Sequence, residues 1–421
     1  MVFTSILEKD VSPHFKCFYS VKLSFIVMLS KVYFLFLLLL FCSCSNKQNY
    51  CGIYIEEGSV VDTIDVNPHD VLVERLDTNQ YKISEVIPFV LPEKEKIIDP
   101  VMVKRCGGYI YVMSKDAKSG NVINVFDNKG VFLCAIGERG HAKNEYIDSP
   151  TCFSFDYTNG DIHVYERASN RILVFDKLGK FKREVKFDGG FPNSACVTES
   201  GNYLCSFNER QNDSYDRLAL CDKNGKRIKV FLPIGQNESL SFANTLVFSD
   251  KSVCCYYHPF YDLCTIVKND KLNNFIKFDF MGEFLSTEIA EEAIADNSIQ
   301  TAIEKHNGVI MIESVEITDT LIHMDYLYKN QLCHFVYDKC KKKCYNNNGS
   351  FFAGIWPSFY FWIDGDQLMF VVTEDDINKI VQTIDTKNGD GQRWYNNSHS
   401  IIRKIIDKKI KAPVFLSVKI S

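Results

Sequence analysis

FDNKGVF (126–132) and FDKLGKF (175–181) are nearly the same seven residues written twice, and their reading decides the fold. Three further stretches share the pattern: CDKNGKRI (221–228), NDKLNNF (269–275) and YDKCKKKCY (337–345). Each has an aspartate, a Lys-containing polar turn and a return to strand-like residues. Gly or Asn stands three places after the aspartate in the first four. The chemistry is that of a hairpin turn: the aspartate carboxylate caps its own turn, and Gly or Asn accepts the positive φ that reverses the chain. IDTKNGD (384–390) is a weaker sixth copy, because Ile377, Ile380, Val381 and Ile384 before it have helical spacing.

The aspartates of these turns, Asp127, Asp176, Asp222, Asp270, Asp338 and Asp385, are separated by 49, 46, 48, 68 and 47 residues. A period of this size is the signature of a repeat architecture. The long interval has a visible cause in TEIAEEAIADNSIQTAIEK, which lies between Ser286 and His306, reads as helical and inserts about 20 residues. A second column of turns precedes the first, at Gly107–Gly108, Asn159–Gly160, Ser200–Gly201, Asp250–Lys251, Asp319–Thr320 and Asp364–Gly365. Two hairpin turns per repeat mean four strands per repeat, and four-stranded sheets repeated radially are the blades of a β-propeller. Six copies predict an all-β, six-bladed β-propeller with four-stranded blades, a helical insertion near 286–306 and a short C-terminal helix. The competing architecture is a pair of β-sandwiches with accidental turn spacing.

Closing a propeller ring usually borrows a strand from the opposite terminus. EVIPFVLP (85–92) precedes the first repeat and PVFLSVKI (413–420) ends the chain, so both are expected in or beside the last blade. HSIIRKIIDKKI (399–410), with isoleucines about four apart, is expected to be a short helix packed on that blade.

The N-terminal end carries a different message. MLSKVYFLFLLLLFCSCS (28–45) has a basic head, an apolar core and a small residue at its exit, the layout of a signal peptide. The apolar run from Val32 to Phe41 is too short to cross a bilayer, which takes roughly 20 residues as a helix. Ser43 before Cys44 resembles the bacterial lipoprotein box, which makes Cys44 the expected lipidation site; Cys42 fits worse behind bulky Phe41. The organisation expected is a mis-assigned extension over 1–27, a lipoprotein signal peptide over 28–43, a tether over 44–65 and the propeller over 66–421.

Composition narrows the function classes. With 48 basic and 53 acidic residues and no basic block, nucleic acid is not an expected partner. Phe and Tyr number 32 and 21, which favours strands. Beyond Cys44 the 13 cysteines include no CxxC pair, so zinc is not expected and no metal ligands are assigned. In SACVTESGNYLCSF (194–207) a two-residue turn at Ser200 and Gly201 would set Cys196 opposite Cys205. An exported protein could oxidise that pair to a disulfide, with two reduced buried thiols as the alternative.

INVFDNKGVFLCAIGERGHAKNEYIDSP (123–150) and DIHVYERASNRILVFDKLGKF (161–181) resemble the NHL-related six-bladed β-propeller lipoproteins of gut anaerobes. The resemblance covers roughly 66–421. In that family a strand ending F-D-x-x-G-x-F leads into a glycine-rich G-x-G-x-G-P-x-E-[FY] turn. Gly137, Gly140, Glu145 and Tyr146 match it in kind, whereas Ala142, Lys143 and Asn144 stand where glycine and proline are expected. The resemblance implies an envelope-anchored propeller and transfers no catalytic residues.

Three functions follow as expectations. The first is a non-catalytic binding or interaction module, held to the outer membrane by its N-terminal lipid on the periplasmic or cell-surface face and taking a protein or glycan ligand. The second is a hydrolase or lyase at the central channel mouth, and the third an accessory subunit of an outer-membrane transport complex. No cofactor is expected beyond a central calcium ion, which related propellers make conceivable. No residues are assigned as catalytic. The loop candidates for ligand binding are Arg139, His141 and Glu145 in ERGHAKNEY, and His258 in CCYYHPFYD. His163, His323 and His334 fall within apolar alternation and read as hydrogen-bonded structural histidines.

Overall fold

The computed structural model describes residues 49–420 except 51–52, 55–59, 70–80, 94–95, 117–119, 189, 208–215, 234–245, 252, 287–288, 291, 294–295, 297, 348–360, 387–394 and 397–399. The chain divides into two compact units, Met1–Gly58 and Ser59–Ser421. In the first, β1 (Asn49–Tyr50) and β2 (Ile53–Tyr54) form a small antiparallel pair. The expected extension, signal peptide and Cys44 lie outside the described residues. No helix among the described residues is long and apolar enough to cross a membrane.

The second unit is a six-bladed β-propeller. It begins with β3 (Val60–Asp65) and β4 (Tyr81–Pro88), which join blades 4 and 6. Blade 1 is β5 (Ile98–Cys106), β6 (Tyr109–Asp116), β7 (Gly120–Asp127) and β8 (Phe132–Ala135). Blade 2 is β9 (Cys152–Asp156), β10 (Asp161–Glu166), β11 (Arg171–Phe175) and β12 (Phe181–Lys186). Blade 3 is β13 (Ser194–Val197), β14 (Tyr203–Ser206), β15 (Asp216–Cys221) and β16 (Arg227–Pro233). Blade 4 is β17 (Leu246–Asp250), β18 (Val253–Tyr257), β19 (Leu263–Lys268) and β20 (Lys271–Asp279). Helix α1 (Ile299–Lys305) lies in the expected insertion ahead of blade 5, which is β21 (Val309–Ile317), β22 (Leu321–Tyr328), β23 (Gln331–Asp338) and β24 (Lys343–Asn347).

Blade 6 closes the ring. Its strands are β25 (Trp362–Asp364), β26 (Gln367–Val372), the C-terminal β27 (Val414–Ile420) and, outermost, β4. Both termini therefore contribute to one blade, as the sequence predicts. Between β26 and β27 stand α2 (Glu374–Thr386) and α3 (Ser400–Ile406). Ile402, Ile405 and Ile406 of α3 pack in one cluster with Val414, Leu416 and Val418 of β27. Asp385 falls in α2, so the weak sixth turn copy is helical over 384–386, and its remainder lies outside the described residues.

Blades pack face to face, and this explains why so many strands read as unbroken apolar runs. A sheet covered on both faces has no polar side to alternate with. DIHVYE of β10 and RILVF of β11 are buried at every residue, whereas FKREVK of the outer β12 is mostly exposed. The apolar clusters accordingly lie between blades: Tyr111 and Val125 of blade 1 pack with Phe153 and Val164 of blade 2, and Tyr165 of blade 2 with Tyr203 of blade 3.

The turn chemistry holds in detail. Asp127, Asp176 and Asp222 each use Oδ1 to accept two backbone N–H bonds, from the residues two and four further on, at 2.8–2.9 Å. Asp338 caps its turn through bonds from the residues two and three further on, Cys340 and Lys341, at 3.0 and 2.9 Å. Asp270 departs from the pattern: it is itself a turn residue at φ 55°, and its carboxylate reaches Asn202 of blade 3 at 2.6 Å.

Two expectations are corrected here. The propeller unit starts at Ser59 and not at residue 66, because β3 pairs parallel with the outer strand β20 of blade 4. Cys196 and Cys205 are not partners. The turn between β13 and β14 is one residue longer than expected, with Thr198 N–H bonded to Asn202 O at 2.8 Å, so Cys196 faces Leu204 and Cys205 faces Ala195. A one-residue change of register sends the two thiols to opposite sides of the sheet, and neither is in a disulfide.

Candidate functional site

Among the described residues, one group of three His, Cys, Asp or Glu side chains brings its ligand atoms together, all within 4.8 Å: His323, Asp325 and His334. Their positions follow from strand geometry. His323 and Asp325 are two apart on β22 and therefore share a face. Lys329 and Asn330, at φ 50° and 60°, make a two-residue turn that sets His334 of β23 directly opposite Asp325. Asp325 Oδ1 lies 2.8 Å from His323 Nε2 and 2.6 Å from His334 Nδ1, and Oδ2 accepts a bond from the Ser314 hydroxyl at 2.8 Å.

The surroundings are dry. Both histidine side chains are 1 % exposed and that of Asp325 3 %. Phe361, just before β25, covers the rings with centroids 4.0 Å from His323 and 5.2 Å from His334. Behind His323 stands Glu316 of β21, its Oε2 3.8 Å from Nδ1 and held by the Ile363 N–H of blade 6 at 2.9 Å. Among the described residues His323 Nδ1 has no hydrogen-bond partner. Burial would raise the Asp325 pKa, but the two histidines outweigh it and hold the carboxyl far below its usual range. Burial would lower that of His323, but Asp325 and Glu316 raise it to about 9.

The residues singled out as loop candidates do not join this group. Arg139 and His141 are exposed on the connection between blades 1 and 2. Glu145, on the same connection, is a turn cap: its Oε2 accepts the Ala142 N–H at 2.9 Å, and a Cβ on Gly140 would collide with that oxygen. The connection is pinned by a buried pair in blade 2. Arg171 donates through Nε to Glu166 at 2.9 Å and through Nη2 to the Glu145 carbonyl at 2.6 Å. Burial would raise the Glu166 pKa, but bonds from Ser169, the Asp148 N–H and Arg171 bring it below the usual range.

His258 is buried against Tyr261 at 4.3 Å and so lines no open surface. Burial, with Arg217 nearby, holds its pKa well below the usual value. His163 is a structural histidine, its Nδ1 3.0 Å from the Tyr203 hydroxyl of the next blade.

The first strands of the blades contact one another and so line the centre of the ring. At their turn ends stand Asp250, Asp319 and Asp364; burial raises the Asp250 pKa to about 6, with Asp364 and Asp319 adding and Lys104 and Lys251 opposing. The group whose ligand atoms converge is nevertheless inside blade 5 and not at this mouth. Sequence reasoning missed it because each histidine was weighed singly. The signal was there in HMD at 323–325 with a Lys-Asn turn four residues on.

A family profile described as a domain of unknown function, DUF4934, matches residues 97–399. The chain belongs to the DUF4934 family. No curated protein matches this DUF4934 chain. Among solved structures it is similar to a candidate exported protein of Bacteroides fragilis, with a TM-score of 0.69 at 15% identity over 86% of this chain and 100% of that one. A member of the DUF4221 family from Bacteroides vulgatus gives a TM-score of 0.48 at 11% identity, over 82% of this chain and 100% of that one. At these identities the likeness bears on the fold alone.

Proposed function

We propose that this propeller is a non-catalytic binding module of the cell envelope, tethered through a lipid on Cys44. The inequality of its two ends carries the reading. At one end, where each inner strand turns into the second, the turns are short in every blade, as in Cys106–Tyr109 and Asp364–Gln367. At the other end, where inner strands begin and second strands finish, stand the long connections, including 136–151, 280–308 with α1, and 373–413 with α2 and α3. Rigid scaffolds present ligand contacts on such connections. Ile147, Phe191, Met281 and Ile289 are exposed there, at 48%, 52%, 59% and 51%.

The signal-peptide layout and the Ser43–Cys44 junction support both the envelope location and the tether. Binding is tested by thermal shift of the full chain against a panel of glycans and peptides. A compound that raises Tm for the wild type, and not for Phe191→Lys or Met281→Lys, is the expected result. Chemical conversion of a bound compound would overturn the non-catalytic reading. Labelled palmitate should enter the wild type and not Cys44→Ser; equal incorporation would remove the tether.

A further inference from the structure

We propose that His323, Asp325 and His334 form a buried site for one divalent transition-metal ion of the zinc class, a structural ion at the seam between blades 5 and 6. The donor set is of the right chemistry: two imidazole nitrogens and a carboxylate oxygen suit zinc and its first-row neighbours. The backbone fixes all three, since they project from one face of two paired strands across a two-residue turn.

Charge balance favours a dication. Asp325 is enclosed, its side chain 3 % exposed, with both histidines in contact with its Oδ1. Glu316 adds a second carboxylate 3.8 Å behind His323. One divalent ion offsets the charge of both carboxylates.

The arrangement behind the donors is the second observation. Metal-bound histidines usually turn their other ring nitrogen to a carboxylate. His323 presents Nε2 to the site and the unpartnered Nδ1 toward Glu316, while Ile363 N–H holds that carboxylate in place. Two donors about 2.1 Å from one tetrahedral ion stand roughly 3.4 Å apart, so the two Asp325 separations need to open by less than about 1 Å, while the two ring nitrogens, within 4.8 Å of each other, need to close by no more than about 1.4 Å. Ser314 bonds the other oxygen of Asp325 and fixes the carboxylate plane.

The test uses the full chain, unfolded in chelator, refolded without metal or with Co2+ or Zn2+, and freed of excess ion. The expected result is one bound equivalent per chain, a visible cobalt absorption displaced by Zn2+, and a higher unfolding midpoint in the loaded protein. Asp325→Asn and His334→Gln should lose the absorption while keeping the wild-type circular dichroism, whereas the double variant Cys340→Ser/Cys344→Ser should retain it. Refolded wild type that holds no ion would overturn the site. So would binding that survives in folded Asp325→Asn or His334→Gln, or that disappears with the two exposed cysteines. If the two site variants fail to fold, stoichiometry and cobalt spectrum of the wild type beside the cysteine variant still decide.

Discussion

Gly225 lies so close to Lys186 that a Cβ built on it would stand 2.0 Å from the Lys186 carbonyl oxygen. The glycine of the blade 3 turn is thus set against the end of the outer strand of blade 2, and its own carbonyl accepts the Asp188 N–H at 3.0 Å. Gly130 repeats the relationship with Pro88, at 2.3 Å, where blade 1 meets the closing blade. In blades 1 and 3 the repeated turn therefore both reverses a hairpin and clips the blade to the one before. Gly201 offers the control, having a similar φ of 79° and nothing within 4 Å. Gly201→Ala should cost about 1 kcal/mol, the conformational part alone. Gly225→Ala should cost clearly more; equal urea midpoints for the two variants would refute the clip.

Asp250 makes stability depend on pH in an unusual direction. Its pKa is raised to about 6 in the folded protein, so the native state holds this proton more tightly than the unfolded chain. That contribution is present below the ordinary carboxyl range and lost as pH rises through about 6. Asp250→Asn should stabilise the protein at pH 8 by about 2 kcal/mol, with the gain vanishing near pH 4. Chemical denaturation of both proteins across that range is the measurement.

The Glu166–Arg171 pair, with side chains 0% and 8% exposed, anchors the connection between blades 1 and 2. Removing Glu166 strips the buried Arg171 of the carboxylate on its Nε and leaves it Glu184 at 3.2 Å. Glu166→Ala should cost about 3–5 kcal/mol and speed hydrogen exchange at the Asp148 amide, which loses its acceptor.

The thiols report on register. Cys340 and Cys344 are exposed, while Cys196 and Cys205 are buried and apart. Alkylation of the native protein should label Cys340 and Cys344 first. After denaturation without reductant, Cys196 and Cys205 should label fully, and protection of that pair would restore the disulfide.

Deleting 414–420 should abolish cooperative unfolding, because β27 lies between β26 and β4 and carries Phe415 and Leu416, both buried. A truncated chain with a wild-type thermal transition would show that the ring does not depend on this closure.

Local chemistry determined most of the architecture. Asp127, Asp176, Asp222 and Asp338 cap their turns through bonds that span four residues or fewer, so the sequence alone specifies them, and their spacing implies the blade count. The apolar runs at the two termini likewise announced the closing blade. What depended on distance along the chain was not legible in the same way. The length of the turn at 199–201 moved Cys196 from Cys205, and β3 found blade 4 across more than two hundred residues, with Asn274 opposite Val60. Only the packed ring decided that Glu316, Phe361 and Ile363 would enclose His323, Asp325 and His334. A donor's partners across a blade seam are set by how whole sheets face one another, and no single segment encodes that.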